Sequence, residues 1–218
     1  MQEPRPRRRG KQEAGPGRRW RRGLVVLSAC AAAATLAAAC GGGDAAPPPG
    51  TPGTGTRLTT PRPAPDFTLT AYDGSSVTLS TLKGSPVFLT FLYTRCPDVC
   101  PLIAANLNAA LRALGEDAAR VRVVAVSVDP RGDTAESVRA YVERMGLEPQ
   151  FTYLIGREQD LAPIWKAFGI GVEQRVEGPI VDHTAATYLI DADGLQQVVY
   201  GDDATTETFV RDVEDVLR

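Results

Sequence analysis

The sequence has few of the side chains on which most metal and redox sites are built. Its 218 residues include one histidine, His183, and four cysteines, of which Cys30 and Cys40 lie in an N-terminal segment of distinct composition. Cys96 and Cys100 are therefore the only thiols of the part that we expect to fold. A structural zinc site usually needs a fourth protein ligand, and no third cysteine or second histidine is present in that part to supply it.

Other sequence features are missing as well. No glycine-rich phosphate loop is present, since the segment 129–133 (Asp-Pro-Arg-Gly-Asp) holds one glycine and no Lys-Ser or Lys-Thr pair follows it, and we predict no nucleotide binding. The stretch 191–194 (Asp-Ala-Asp-Gly) superficially resembles a calcium loop. Its glycine stands at position four rather than six, and no glutamate stands at position twelve. We interpret it as a hairpin turn.

The N-terminal apolar run is short. It extends from about Leu24 to Ala39, fewer than the ~20 residues that a spanning helix needs, and it follows a segment with nine basic side chains. A basic segment, an apolar segment and small residues before a cleavage point are typical of an export signal, and the ending resembles the lipobox of bacterial lipoproteins. We predict that residues 1–39 are the signal and that acylated Cys40 anchors the protein on the extracytoplasmic face of the bacterial cell membrane. Cys30 as the acylated residue and an uncleaved N-terminal anchor are the alternatives.

Basic charge is scarce once this signal is removed. Residues 1–39 contain nine of the 24 basic and two of the 26 acidic side chains, which leaves 15 basic and 24 acidic ones and a net charge of about −9 in the mature chain. Nucleic acids and anionic lipid surfaces are bound through clusters of Lys and Arg. The composition therefore argues against nucleic acid as a partner, and it leaves a metal or a protein open.

The remaining chain divides into a tether and one domain. Gly, Pro, Ala and Thr dominate residues 40–63, which cannot bury enough apolar surface to offset the entropy of ordering, and we expect a flexible tether there. We expect residues 64–218 to form an α/β domain with a central mixed sheet, helices on both faces and an N-terminal hairpin extension around Asp73-Gly74. The patterns predict strands at 86–93, 121–128, 151–155, 185–190 and 197–200, and helices at about 101–114, 134–145, 161–168 and 205–217.

Cys96 and Cys100 lie in the stretch 94–101 (Thr-Arg-Cys-Pro-Asp-Val-Cys-Pro), where a buried strand gives way to a helix. We expect Cys96 in the loop and Cys100 at or next to the helix N-cap, because Pro101 fits best in the first turn. Both sulfurs would then lie near the positive end of the helix dipole. That position lowers thiol pKa values and favours the thiolate, which binds soft metals and attacks disulfides. In an oxidising compartment the two thiols could also form a disulfide.

His183 is a candidate third ligand. It precedes a predicted strand in a loop rich in turn residues, and Asp182 or a backbone carbonyl could orient its ring. Two thiolates and a neutral imidazole suit Cu(I) and give a site with a total charge of about −1. Zinc is the alternative, with Asp98 or Asp182 as an added ligand. A lone histidine with a purely structural role in its loop is the other interpretation.

Three motifs together resemble the SCO/SenC family. They are the Thr-x-Cys-Pro-x-x-Cys-Pro stretch at 94–101, Ser-Val-Asp-Pro at 127–130 followed by Asp-Thr at 133–134, and Asp-His-Thr at 182–184 leading to Tyr-Leu-Ile-Asp at 188–191. The resemblance covers about residues 64–217 and implies a thioredoxin-like fold in which Cys96, Cys100 and His183 bind copper. It also implies a membrane-anchored protein that delivers copper to the dinuclear copper site of cytochrome c oxidase subunit II, or reduces the cysteines of that site. Two roles stay open for Asp129. It could contact the site or a partner, or it could cap the loop after its strand.

Two enzyme functions compete with that of a copper chaperone. An extracytoplasmic thiol–disulfide oxidoreductase would use the same thiols. Dedicated enzymes of that type, however, have Cys-x-x-Cys spacing and resemble one another in placing a cis-proline opposite the thiols, whereas this chain has Cys-x-x-x-Cys and offers His183-Thr184 in the comparable loop. A peroxiredoxin-type peroxidase would need a pattern around Cys96 that this chain lacks. We therefore expect metal binding first, with thiol redox chemistry as a companion role.

Overall fold

The computed structural model describes residues 53–174, 178 and 180–218, and these form ten strands and four α-helices. The strands are β1 (Thr56–Pro63), β2 (Thr68–Ala71), β3 (Ser76–Thr78), β4 (Val87–Leu92), β5 (Arg122–Ser127), β6 (Phe151–Ile155), β7 (Val172–Gln174), β8 (Val181–His183), β9 (Thr187–Ile190) and β10 (Leu195–Tyr200). The helices are α1 (Val99–Ala113), α2 (Ala135–Met145), α3 (Glu158–Ala167) and α4 (Thr206–Leu217). None of these helices is long and apolar enough to cross a membrane.

Eight of the strands form one mixed sheet in the order β1-β10-β9-β4-β5-β6-β2-β3, and β7 pairs with β8 in a separate ribbon. Strands β4, β5 and β6 run parallel to one another. The antiparallel strands β9, β10 and β1 extend one edge, and the hairpin of β2 and β3 extends the other. The predicted mixed sheet and the predicted N-terminal hairpin are both confirmed.

Helices cover both faces of the sheet, as predicted. Every residue of β4 is buried. Phe88 packs against Phe209 of α4 with a centroid separation of 5.2 Å, and Phe91 packs against Phe168, directly after α3, at 5.8 Å. Successive side chains of a strand point to opposite faces, so Phe88 and Phe91, three residues apart, lie on different faces. A strand buried on both faces carries a continuous apolar run, which made β4 predictable.

The expectation of a tether over residues 40–63 is wrong at its C-terminal end. Residues 56–63 form β1, which pairs with β10 from Thr56 opposite Val199 to Pro63 opposite Leu195. All but one of the eight side chains of β1 are exposed, so the strand is held mainly by backbone pairing and gives no apolar periodicity to detect. The predicted signal 1–39, with Cys30, and the predicted acylation site Cys40 lie outside the described residues.

The parallel pairing of β4 with β5 brings two loops to one edge of the sheet. Leu92 pairs with Ser127, the last residue of each strand, and the backbone N–H of Val128 donates to the carbonyl of Leu92. The loops that follow, residues 93–98 and 128–134, therefore leave the sheet side by side. The first of them carries Cys96.

Candidate metal centre

The two cysteines lie where β4 gives way to α1. Because α1 begins at Val99, with Asp98 as its N-cap, Cys96 lies in the loop, as predicted. Cys100 is the second residue of the helix, one residue further from the N-cap than expected. The Sγ atom of Cys96 accepts the backbone N–H of Cys100 at 3.4 Å, so a sulfur satisfies one of the free N–H groups of the first turn. Cys100 is fully buried, Cys96 is partly exposed, and both are free thiols.

The two thiols differ in acidity. The pKa of Cys96 is lowered to about 5, first because the Cys100 side chain hydrogen-bonds to it and further because the backbone N–H groups of Asp98 and Cys100 donate to its sulfur. The same side-chain hydrogen bond raises the pKa of Cys100, and burial raises it further. The expectation that both thiols are acidified is therefore wrong for Cys100. The metal-free pair holds one negative charge, and that charge resides on Cys96.

His183 completes the group. It is the last residue of β8 rather than part of a loop, and its Nε2 atom lies 3.7 Å from the Sγ atom of Cys100. Its Nδ1 atom lies 3.1 Å from the carbonyl oxygen of Thr184. A carbonyl can only accept, so Nδ1 carries the proton and Nε2 presents its lone pair to the sulfur. Burial lowers the pKa of His183, which favours the neutral ring.

Tyr93 is a neighbour of the site that the sequence analysis missed. Its ring meets the His183 imidazole edge-to-face, with centroids 5.8 Å apart. A hydrogen bond with the Tyr93 side chain helps to lower the pKa of Cys96. Burial, as the first cause, raises the pKa of Tyr93 to about 12, so its hydroxyl keeps its proton at neutral pH. An aromatic residue at the end of a buried strand has the pattern of a core residue, and nothing in the sequence distinguished it.

Asp129 lies beside the cysteine loop without being one of the converging donors. Its fully buried carboxylate accepts two hydrogen bonds from Arg95, at 2.6 Å from Nη2 and 3.1 Å from Nε, and a third from the backbone N–H of Gly132 at 2.9 Å. Of the two open roles, the structure supports capping of the loop after its own strand, and Asp129 also pairs with Arg95, the residue that precedes Cys96. Contact with the site or a partner stays a prediction.

The donor set fits a soft metal ion. In the described part of the chain, no three His, Cys, Asp or Glu side chains are already close enough together to hold a metal. The same is true of groups that contain Asp98 or Asp182, the added ligands considered for zinc. Bond lengths of ~2.3 Å to sulfur and ~2.0 Å to nitrogen place two ligands of one ion roughly 3.5–3.8 Å apart. The Cys100–His183 separation of 3.7 Å falls in that range. Binding of one ion by all three side chains therefore requires them to come closer together than they lie here, and two sulfurs with one imidazole suit Cu(I).

The fold and the donors together define a class. Two thiols at the junction between a central parallel strand and the helix after it, joined by an imidazole from the separate β7–β8 ribbon, describe a thioredoxin-like protein with a soft-donor site. The SCO1/SenC family model matches residues 56–218, and the chain belongs to this family. The family and the thioredoxin-like fold predicted from the three motifs are confirmed.

Proteins from several bacteria resemble the chain. The SCO2-like protein of Rickettsia conorii is 30% identical over 134 residues, which are 59% of this chain and 64% of that protein, so the match spans just under two thirds of the relative. ScoI of Bradyrhizobium japonicum, solved with copper bound, is 32% identical with a TM-score of 0.64 and covers 71% of this chain and 99% of its own. A SCO1/SenC family lipoprotein from Bacillus anthracis is 27% identical with a TM-score of 0.66, covering 74% and 99%.

Proposed function

We propose that this protein is a membrane-anchored copper chaperone that carries copper on Cys96, Cys100 and His183 and delivers it to the dinuclear copper site of cytochrome c oxidase subunit II. The observation that carries the proposal is the approach of the His183 Nε2 atom to the Cys100 sulfur at 3.7 Å. A pure dithiol enzyme has no need of an imidazole aimed at its buried thiol. The copper-bound ScoI relative, at 32% identity, supports the choice of metal.

Each donor has a distinct part in binding the cargo. Cys96 is partly exposed and already ionised at neutral pH, so it is the first ligand that an arriving ion meets. Cys100 is buried and protonated and must lose its proton as it binds. His183 is neutral and needs no change of protonation. Loading therefore releases about one proton, and two thiolates with one imidazole favour Cu(I) over harder cations.

The anchor in this proposal is a lipid on Cys40, with the domain on the extracytoplasmic face of the bacterial membrane. The lipobox-like ending of the apolar run supports it, and so does the family lipoprotein from Bacillus anthracis. Mass spectrometry of the mature N-terminus tests it. We expect an acylated residue 40. An unmodified residue 1 or acylation of Cys30 would contradict the assignment.

A second candidate function is thiol–disulfide exchange with the cysteines of the copper acceptor. It is supported by the pKa of about 5 at the partly exposed Cys96, next to the buried Cys100. The Cys96 thiolate would attack a disulfide of the partner and release one partner thiolate. Cys100, after losing its proton, would then displace the second one. The partner gains two electrons and becomes a dithiol, while Cys96 and Cys100 form a disulfide that a separate thiol reductant must reduce again.

A transfer assay separates the two functions. The full chain, reduced and loaded with copper, is mixed with an apo subunit II fragment whose cysteines are either reduced or joined in a disulfide. A chaperone transfers copper to the reduced fragment. The His183→Ala variant should bind much less copper at the start and therefore transfer much less. Disulfide reduction without any copper transfer, equal in the wild type and in His183→Ala, would overturn the chaperone proposal and leave the exchange enzyme.

A further inference from the structure

Asp133 is a buried carboxylate that is not one of the proposed copper ligands. It is 4% exposed and accepts four hydrogen bonds. Its Oδ1 atom accepts from the backbone N–H of Thr94 at 2.9 Å and from the Thr94 hydroxyl at 2.7 Å. Its Oδ2 atom accepts from the hydroxyls of Ser127 at 2.7 Å and Tyr153 at 2.9 Å. Each oxygen therefore faces a different part of the molecule.

The two oxygens join the cysteine loop to the sheet. Thr94 stands two residues before Cys96, whereas Ser127 ends β5 and Tyr153 lies in β6. The bond to the Thr94 backbone N–H holds the peptide itself and not only a side chain. Hydrogen bonds to an ionised acceptor are shorter and stronger than neutral ones. The start of the cysteine loop is thus tied through one side chain to two neighbouring strands.

A carboxylate matches this arrangement. Its two oxygens, with about four acceptor positions, match the four donor groups, whereas an amide has only one acceptor oxygen. Burial raises the pKa of Asp133, but four donor groups, two from Thr94 and one each from Ser127 and Tyr153, hydrogen-bond to it, which favours the ionised form. A buried carboxylate is costly unless it is fully hydrogen-bonded. Stability alone gives little reason for a charge at this position, since an apolar core is often at least as stable.

The next residue of the loop is held in the same way. Arg95 is paired with the buried Asp129, whose backbone carbonyl also accepts the N–H of Asp133 at 2.9 Å. A Cβ atom at Gly132 would clash with both partners of the Arg95–Asp129 pair, so the contact is tightly packed. Two consecutive residues before Cys96 are therefore each fixed by a carboxylate from the loop after β5.

We propose that Asp133 is a positioning residue for copper binding, which acts by holding Thr94 so that the loop keeps Cys96 within reach of an ion shared with Cys100 and His183. The Asp133 carboxylate makes its hydrogen bonds to Thr94, Ser127 and Tyr153 and to none of these three side chains. The proposal rests on the copper site of the proposed function. It adds that copper binding depends on the hydrogen bonds that join Thr94 to Asp133.

Thr94→Val tests the proposal, because it removes one hydrogen bond to Oδ1 at almost constant shape. Tyr153→Phe is the matched control, since it removes one hydrogen bond to Oδ2, and Thr94→Ser restores the hydroxyl. Cu(I) affinity of the full chain is measured by competition with a chelator. We expect Thr94→Val to lose about 10-fold, the lower end of the range for residues that support metal ligands. Thr94→Ser should bind as the wild type does, and Tyr153→Phe should change affinity little.

Amide hydrogen exchange in the metal-free, reduced protein gives a second readout. It should speed up over residues 94–96 in Thr94→Val and not in Tyr153→Phe, even if the two variants melt at the same temperature. The role of Asp133 would be overturned if Thr94→Val bound copper and exchanged its amides as the wild type does. It would also be overturned if the loss of copper affinity in both variants simply followed their loss of melting temperature. A wild type that binds no copper would overturn the proposed function instead, so the two failures are distinguishable.

Discussion

The Nε2 atom of His183 lies 3.7 Å from the Sγ atom of Cys100, although 83 positions separate the two residues in the chain. The ribbon of β7 and β8 makes the contact possible by placing the end of β8 against the start of α1. The proton on Nδ1, donated to the Thr184 carbonyl, leaves the other nitrogen free to coordinate. A pair of thiols that would otherwise be a redox dithiol thereby gains a third donor.

Cys96 should react at unusually low pH. Its pKa is lowered to about 5, whereas a free cysteine titrates near 8.5. In the reduced, metal-free protein, the alkylation rate should therefore be constant from pH 9 to pH 7 and fall to half its maximum near pH 5. Iodoacetamide labelling followed by mass spectrometry measures it. In the Cys96→Ser control, labelling at neutral pH should almost vanish, because Cys100 is buried. A midpoint between pH 8 and pH 9 would contradict the assigned thiolate.

The same thiol should make stability depend on pH. The folded-state pKa of Cys96 lies below its unfolded value, so between about pH 5 and pH 8 the unfolded chain binds a proton that the folded protein does not. Stability of the reduced protein should therefore rise with pH over this window and fall as the pH is lowered towards 5. Urea midpoints at several pH values measure the slope. Cys96→Ser should flatten it, and an equal slope in both proteins would count against the account.

Tyr93→Phe should raise the pKa of Cys96. The substitution deletes the hydroxyl that helps to lower this pKa and keeps the ring that meets His183 edge-to-face. The alkylation midpoint should move to higher pH, and the circular dichroism spectrum should stay unchanged. If the midpoint does not move, Tyr93 serves the core alone.

Gly55→Val should destabilise the domain. A Cβ atom at residue 55 would clash with the Tyr200 ring and with Val198, both buried on β10. Overpacking of this kind costs about 1–3 kcal/mol. Thr59→Ala, on the exposed surface of β1, is the control and should stay within about 0.5 kcal/mol of the wild type. Chemical denaturation measures both, and an unaffected Gly55→Val would mean that this segment is a tether after all.

Much of the fold was predictable because its core strands are buried on both faces. The runs around Phe88 in β4 and Val124 in β5 are mostly apolar, and their limits agree with the structure to within one residue. Strand β1 was missed because backbone pairing holds its exposed side chains at an edge of the sheet. Strands β7 and β8 were missed because three residues are too few to show a period, and His183 was therefore expected in a loop.

The site also contains residues that could be predicted from the sequence and residues that could not. Cys96, Cys100 and His183 were predictable because motif spacing and the scarcity of other donors single them out. Tyr93 and Asp133 were not, because only contacts between distant segments distinguish them from ordinary buried residues. The different acidities of the two thiols also depend on tertiary geometry, since the hydrogen bond between the sulfurs and the burial of Cys100 set them.

The most direct test of the account is X-ray absorption spectroscopy of the full chain, reduced and loaded with Cu(I). We expect two sulfur ligands and one nitrogen ligand in the wild type. His183→Ala should lose the nitrogen while both sulfurs remain, and Cys96→Ser and Cys100→Ser should each lose one sulfur. A copper site with the same ligands in His183→Ala as in the wild type would contradict the three-donor site on which the proposed function rests.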